Sequence, residues 1–473
     1  MHILFIYFEI QIQIYNQIGL SYLSAVLKKH GHKVSLIRVN KPDRLDMVAK
    51  EVKRISPNLV GLSFVSNFSH LARELSGKIK KEINVPIVAG GIHATIRPLE
   101  TIKYPGVDYV AVGEGEEALL ELVEKIGEKS GTTAIRNIWA KIDGEIFKNP
   151  VRDLLDLDTL PVPDIDIFYQ KPTEVQRVTF MTQRGCPYSC TYCCNEYLNK
   201  LYKNKGPIVR KRSLEKVMDD IGTILKTHPN VKDLNFDDDT FTVDKQRVKE
   251  FCSLIKERYN IPFAINSRPE LIDEEIAKAL KDAGCFIVRI GIESGSEKFR
   301  KKYLARNMTD AEIRRAFSVL KKAGLDQVGF FIYGFPHETE DEMKMSYDFL
   351  AELDPSGGSQ VSVFYPYPET TLEKECVELG LMTGKNKTGF FGGGTTLSFP
   401  GKVKNCIGKY YELSEDLYHV KGEDLRYVKK FYPGWYYPYI FLSLFIKRKY
   451  LWRSLVKLKL YYLKPAFTVR AGW

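Results

Sequence analysis

A chain of 473 residues with 44% hydrophobic content can form two or three domains with ordinary packed cores, which excludes disorder as its main state. Eight cysteines in so long a chain do not make a secreted disulfide framework, and no apolar run reaches the roughly 20 residues that span a bilayer. The net charge of +11 is local: residues 425–473 hold eleven Lys or Arg and no acid, so the basic balance describes a tail, and nucleic acid is not an expected partner of the body.

The opening run from Met1 to Glu9 lacks a basic leader and reads as a strand, not a signal peptide. Strand and helix patterns then alternate. Strands are expected at Ile3–Phe8, Lys33–Val39, Leu59–Phe64, Pro86–Ala89 and Val107–Val112. Helices are expected at Leu20–Lys29, Met47–Ile55 and Phe68–Glu82. Such alternation implies a Rossmann-like parallel sheet covered on both faces, with ligands at the carboxyl ends of its strands. Ser63, the Gly90-Gly91-Ile92-His93 turn and the Gly113-Glu114-Gly115-Glu116 turn fall at those ends.

Residues 149–166 carry prolines and acids and read as a linker. A second alternating region follows. Its strands are expected at Arg177–Thr182, Val231–Phe236, Phe263–Ser267, Phe286–Ile292, Gln327–Tyr333 and Gln360–Phe364. Helices at Leu214–Leu225, Arg247–Arg258, Asp273–Ala283, Ala311–Ala323 and Glu340–Glu352 lie between them. Six such units make a partial (β/α)6 barrel, short of the eight of a closed one. The expected division is 1–140 for the first domain, 141–172 for the linker, 173–375 for the barrel and 376–473 for an α-rich, basic C-terminal extension. Within the extension, 431–473 is aromatic and basic enough to lie at a membrane surface as a peripheral contact.

The first barrel strand leads into Arg184-Gly185-Cys186-Pro187-Tyr188-Ser189-Cys190-Thr191-Tyr192-Cys193. Three thiolates at C-x3-C-x2-C spacing can hold three irons of one 4Fe–4S cluster and leave the fourth open to a small molecule. A zinc site usually has two separated cysteine pairs, and no second C-x2-C occurs here. Cys194 is a further thiol beside the third cysteine, read as packing. Cys252, Cys285, Cys376 and Cys406 stand singly. An open cluster implies a reducing, cytoplasmic setting.

With Tyr192 before the third cysteine, the loop closely resembles that of the radical S-adenosylmethionine (radical SAM) superfamily. The resemblance implies that Cys186, Cys190 and Cys193 hold a 4Fe–4S cluster and that the open iron chelates SAM. It assigns SAM contacts to Tyr192, to Asp237 and Asp238 of the Asp237-Asp238-Asp239 run, to Ser267 with Arg268 beside it, to Arg289 and Glu293, and to Gly334 and Phe335. An Arg289–Glu293 ion pair of purely structural meaning is the alternative for those two. Tyr365-Pro366-Tyr367-Pro368-Glu369-Thr370 resembles a Pro-Tyr-Pro-Gly-Thr run of the cobalamin-containing branch, with Glu369 in place of glycine.

Residues 3–130 resemble the cobalamin-binding domain of that branch. This implies cobalamin contacts at Ser63, Gly90, Gly91, His93, Gly113 and Glu114. The stretch Glu9–Gly19 lacks the cobalt-ligating histidine many such domains carry. The implied chemistry is SAM cleavage to a 5′-deoxyadenosyl radical, with electrons from an external flavodoxin- or ferredoxin-type donor. Cobalamin-dependent methylation of an unactivated carbon in a small-molecule or lipid-like substrate follows. Radical oxidation, cyclisation or rearrangement without methyl transfer, and a non-catalytic iron–sulfur redox protein, are the other readings open at this point.

Overall fold

The structure, a computed structural model, describes residues 1–9, 16–383 and 394–418. Six residues of the Glu9–Gly19 stretch, 10–15, and the whole 431–473 segment lie outside the described residues. Among the described residues no helix is long and apolar enough to cross a membrane.

The first sheet has seven strands. They are β1 (His2–Phe8), β2 (Lys33–Val39), β3 (Leu59–Ser63), β4 (Ile87–Gly90), β5 (Tyr109–Ala111), β6 (Ile138–Ile142) and β7 (Glu145–Phe147), in the order β2-β1-β3-β4-β5-β6-β7. The first five pair in parallel. Alternate residues of β1 explain why its sequence is apolar throughout. Ile3 and Phe5 pack with α1 (Ile18–Lys29) and α6 (Glu116–Gly127), while Leu4 and Ile6 pack with α2 (Leu45–Ile55) and α3 (Ser69–Glu82). Two short helices, α4 (Ile92–Ile96) and α5 (Pro98–Thr101), follow β4. The strand order reverses between β1 and β3, and in such sheets the crevice at the reversal takes the ligand.

The hairpin β6–β7 pairs antiparallel on β5 and turns at Asp143 and Gly144, both with positive φ. The expected boundary at residue 140 falls inside β6. An Asp-Gly pair between two apolar runs is the sequence signal for such a hairpin.

The second sheet curls into a half-barrel. After β8 (Arg177–Phe180) come the small paired strands β9 (Gln183–Arg184) and β10 (Arg210–Lys211). Then follow β11 (Asp233–Phe236), β12 (Phe263–Ser267), β13 (Cys285–Glu293), β14 (Asp326–Tyr333) and β15 (Ser359–Val363). The six-stranded order is β15-β14-β13-β12-β11-β8, parallel throughout, so the barrel stays open between β8 and β15. Helices α7 (Cys194–Leu201), α8 (Leu214–Thr227), α9 (Lys245–Arg258), α10 (Glu274–Asp282), α11 (Glu297–Tyr303), α12 (Asp310–Lys322), α13 (Glu340–Leu353), α14 (Thr371–Glu378) and α15 (Gly401–Tyr418) complete the element set. The expected boundary at 375 falls inside α14. Helix α15 packs against the far end of the barrel, where the Tyr333 hydroxyl meets Ser414 at 2.8 Å.

The two sheets are joined by polar contacts as well as by chain. Asn16 donates to the Thr179 carbonyl (3.1 Å) and accepts from the Thr179 N–H (2.9 Å), so it satisfies the outer edge of β8 as a neighbouring strand would. The expected linker is packed rather than free. Leu157 and Leu160 bury against Ile18 and Tyr22, and Asp164 accepts from Ser24 and pairs with Lys28 at 2.7 Å. The strongest junction is ionic. Arg184 of β9 pairs with Glu114 (3.0 Å) and Glu116 (2.5 Å), and Arg210 of β10 closes on Glu114 from the other side. Tyr22 supplies a ring to both Arg184 and the fully buried Arg212, 5.6 and 5.7 Å from its centroid.

Burial alone would push the Glu114 carboxyl up, but Arg184 and Arg210 outweigh it and hold the group below its usual range. The stability this pair provides is therefore present above the unfolded-state value of about 4.3 and is lost as pH falls through the depressed folded value. Glu114→Gln is expected to lower stability by about 2–3 kcal/mol at pH 7, read from the thermal midpoint. The gap between variant and parent should close as the pH drops below about 4. An unchanged midpoint at neutral pH would count against this junction.

Candidate functional site

The cysteine loop leaves the carboxyl end of the first barrel strand and must pass β10 closely. Gly185 makes this possible: its φ is 91°, and a Cβ there would lie 1.9 Å from the Ile208 carbonyl oxygen. All eight cysteines are free thiols, with Cys186 and Cys190 buried and Cys193 half-buried. The loop is pinned by Cys193 N–H donating to the Cys190 carbonyl (3.0 Å) and by the Asn199 amide donating to the Cys186 carbonyl (3.1 Å). Cys193 is the N-cap of α7, where the helix dipole favours a thiolate. Its thiol is pushed well up by the hydrogen bond with Cys194 and by burial. Burial also raises Cys186, whose sulfur lies 3.8 Å from the Thr240 hydroxyl.

Two buried guanidiniums face Cys190. Arg268 and Arg306 each donate an N–H to its sulfur, at 3.6 and 3.7 Å. Arg268 lies 3.7 Å over the Tyr188 ring and bonds Glu270 at 2.6 Å. Arg306 also donates to the Tyr192 hydroxyl (3.2 Å) and the Gly291 carbonyl (2.5 Å), and pairs with Glu293 at 3.8 Å. Glu293 sits at a bulge in β13 with φ 74°, and burial pushes its carboxyl up. Buried cations next to sulfur suit thiolates in an anionic group. Among the described residues no three His, Cys, Asp or Glu side chains converge to hold a single ion. A four-iron cluster instead spreads its thiolates over separate irons. The loop's free thiols and surrounding donors therefore fit a 4Fe–4S cluster.

The structure separates the expected SAM residues. Tyr192 and Glu293 lie together behind the loop with Arg306, and Tyr192 meets Phe335 edge-on at 5.7 Å. Arg289 donates to Asn235 (2.7 Å), and Glu293 pairs with Arg306. Ser267 is buried and bonded to the Thr242 hydroxyl at 2.6 Å. The Gly334 and Phe335 N–H groups both donate to buried Glu338, at 2.6 and 3.3 Å, and burial pushes that carboxyl up to about 8.

Asp238 is fully buried and accepts from the Thr182 N–H (2.8 Å), the Gln183 N–H (2.6 Å) and the Thr182 hydroxyl. It therefore ties the barrel strand to the start of the cysteine loop. Burial pushes its carboxyl up to about 7, against the pull of those donors. Asp237 is exposed and accepts from Asn266 at 3.1 Å. Asp239, exposed and bonded to Asn195 of α7, is the acid close enough to influence Cys186 and Cys193. Arg306, Thr240 and Asn195 are neighbours of the loop that the sequence alone does not assign a role. Thr240 adjoins the triple-Asp run, but no local pattern marks Arg306.

In the first domain, Ser63, Gly90 and Gly91 stay at the carboxyl edge beside the β1/β3 reversal. Gly91 is exposed with φ 90°, and a Cβ there would come within 2.7 Å of the Phe64 carbonyl oxygen. Bare backbone at this edge fits a flat ligand. The other three residues are spoken for. The ring nitrogens of buried His93 face the Ser66 hydroxyl (3.0 Å) and the Tyr104 hydroxyl (3.3 Å). A Cβ on Gly113 would strike the Tyr202 hydroxyl at 2.0 Å, and Glu114 is consumed by Arg184 and Arg210. Both residues contact the barrel domain at the junction.

Comparison with known proteins places the chain. Residues 180–350 match the Radical SAM superfamily and residues 13–123 the B12 binding domain. An uncharacterized methyltransferase of Pyrococcus horikoshii is 32% identical over 378 residues, covering 78% of this chain and 80% of the relative. The chain belongs to the radical SAM superfamily, in its B12-binding branch. A cytidylyl-2-hydroxyethylphosphonate methyltransferase of Streptomyces wedmorensis is 26% identical, covering 77% of this chain and 78% of that one. An anaerobic magnesium-protoporphyrin IX monomethyl ester cyclase of Rubrivivax gelatinosus is 27% identical, covering 70% and 60%. The fold is shared with the radical S-adenosylmethionine methyltransferase TsrM of Kitasatospora setae, solved with cobalamin and a 4Fe–4S cluster bound. There the TM-score is 0.64 at 19% identity, over 81% of this chain and 75% of that one. This radical SAM protein is thus an enzyme whose cofactors are a 4Fe–4S cluster, SAM and cobalamin.

Asp238→Ala strands two backbone donors and a hydroxyl in the interior. It is expected to cost about 2–3 kcal/mol, read from the urea midpoint at constant slope. Asp238→Asn, whose amide oxygen still accepts, should cost less. Equal losses for both would point away from these hydrogen bonds as the source.

Proposed function

We propose that this enzyme moves methyl groups from SAM, through cobalamin, to an unactivated carbon of a small-molecule substrate. One observation supports this reading above the rest. Arg184, two residues ahead of the first cluster cysteine, is bound by the Glu114 and Glu116 carboxylates at the strand-end edge of the B12-binding domain. The edge that takes cobalamin and the loop that takes the cluster are thereby held facing one another. When bound, the cluster and SAM supply a radical for hydrogen abstraction, and cobalamin supplies a transferable methyl group.

The chain's own residues hold and enclose these groups. Cys186, Cys190 and Cys193 are the cluster ligands in this reading, and Arg268 and Arg306 offset the negative charge at Cys190. Asp239, at the open side of the loop, is the acid best placed to receive the SAM amino group. Gly90 and Gly91 offer the corrin a side-chain-free edge, with the Ser63 hydroxyl beside them. Tyr192, Glu293 and Asp238 fix the loop from behind. Superfamily members draw their electron from an external donor, and the substrate would sit between the two facing edges.

Anaerobic reconstitution with iron, sulfide, hydroxocobalamin, SAM and a one-electron reductant tests the proposal. About four irons per chain, 5′-deoxyadenosine and S-adenosylhomocysteine are expected. Single alanine variants of Cys186, Cys190 or Cys193 should lose the iron, while Cys194→Ala should keep it. Deoxyadenosine without S-adenosylhomocysteine would sink methyl transfer, and a Cys193→Ala protein that keeps its iron would move the third ligand to Cys194.

A further inference from the structure

The branch's Pro-Tyr-Pro-Gly-Thr run departs here at Glu369, and the structure shows what the substitution does. Glu369 has φ 64°, a left-handed backbone that glycine adopts freely and a side chain with Cβ does not. The glutamate holds that conformation with its carboxylate on Arg97 of the B12-binding domain. Arg97 spans Glu369 and Glu373, the latter at 3.0 Å, and Glu373 also accepts from the Glu369 N–H at 3.3 Å. None of the three side chains is more than about a third exposed.

Each end of this contact leads directly to a cofactor-bearing segment. Arg97 joins α4 to α5, and α4 begins immediately after Gly91. On the other side, Glu369 and Thr370 precede α14. The first turn of α14 is bonded to the cysteine loop: the Leu372 N–H donates to the Thr191 carbonyl at 3.0 Å. Thr371 donates through its N–H (3.0 Å) and hydroxyl (2.8 Å) to Glu196 of α7, the helix that starts at Cys194. A continuous path of hydrogen bonds and peptide therefore runs from Gly91 to the cysteine loop through the ion pairs of Arg97.

We propose that Glu369 is a positioning residue. With Arg97 and Glu373 it forms a clasp that fixes the helix after Gly91 against the cysteine loop, and so sets the spacing of the cobalamin and SAM sites. The assignment of those two sites rests on the proposed function; the clasp itself does not. Arg184 with Glu114 and Glu116 holds the domains together at β5 and β9, whereas the clasp acts at α4 and α14.

The test uses the full chain. Glu369→Gly removes the carboxylate and relieves the left-handed backbone, so the thermal midpoint should not fall. Amide hydrogen exchange over residues 92–101, without cofactors, should speed up roughly tenfold while β4 is unaffected. Arg97→Ala, which also releases Glu373, should give at least that rise, and the double variant no more than Arg97→Ala alone, because the contact that Glu369→Gly breaks is already gone there. In reconstituted protein, Glu369→Gly should slow S-adenosylhomocysteine formation from SAM and reduced cobalamin roughly tenfold, with hydroxocobalamin affinity unchanged. Unchanged exchange at 92–101, or additive single effects, overturns the clasp. Hydroxocobalamin affinity that falls in step with turnover overturns the positioning role. A parent chain that binds no hydroxocobalamin defeats the proposed function, while the exchange result still decides the clasp.

Discussion

A buried arginine cannot stand alone, and Arg184 organises the molecule around that constraint. Its guanidinium sits among protein atoms two residues from Cys186, and among the described residues it pairs with the Glu114 and Glu116 carboxylates of the first domain. Burial disfavours the charge, and Glu116 and Glu114 more than restore it. Because breaking such a pair leaves an uncompensated charge inside, the two sheets have one low-energy arrangement rather than a range. The π-face of Tyr22 and the Asn16–Thr179 bonds add direction to what charge alone would leave loose.

The cysteine loop extends the same logic. It is short of regular structure, so nearly every group that holds it comes from elsewhere. Asp238 fixes its entry, Arg268 and Arg306 flank its middle, α7 begins at its exit, and the first turn of α14 donates to Thr191. Hydrogen bonds to cluster sulfurs and the local net charge are levers on reduction potential. Arg268 and Arg306, which donate to the Cys190 sulfur, are the groups through which such levers would act in the proposed cluster site.

The sequence was most legible where information is local. Apolar runs and amphipathic stretches placed every parallel strand of both sheets, because each reflects burial of its own face. The C-x3-C-x2-C spacing carried its chemistry because three ligands to one group must be near in sequence or be brought near. The unreadable parts depend on partners far along the chain. Nothing near Glu114 announces Arg184, seventy residues on, so a carboxylate at a strand end looked like a ligand contact. Asp237, Asp238 and Asp239 are adjacent in sequence yet point into solvent, into the core and toward the thiols, and only the pleat and turn of the folded strand separate them. Val107–Val112 was read two residues too long at its start because burial there continues past the pairing.

The Asp143–Gly144 hairpin has a consequence for how the chain comes into being. With β7 in place the first sheet is complete by Phe147, and its core draws on few residues beyond that point. Domains fold as units, the earlier one first during synthesis. The Glu114 and Glu116 carboxylates thus belong to a unit that closes on itself before Arg184, their counter-ion, enters the chain. Arg184 precedes Cys186 by two residues, so the ion pair that docks the barrel on this unit forms at the entrance of the cysteine loop.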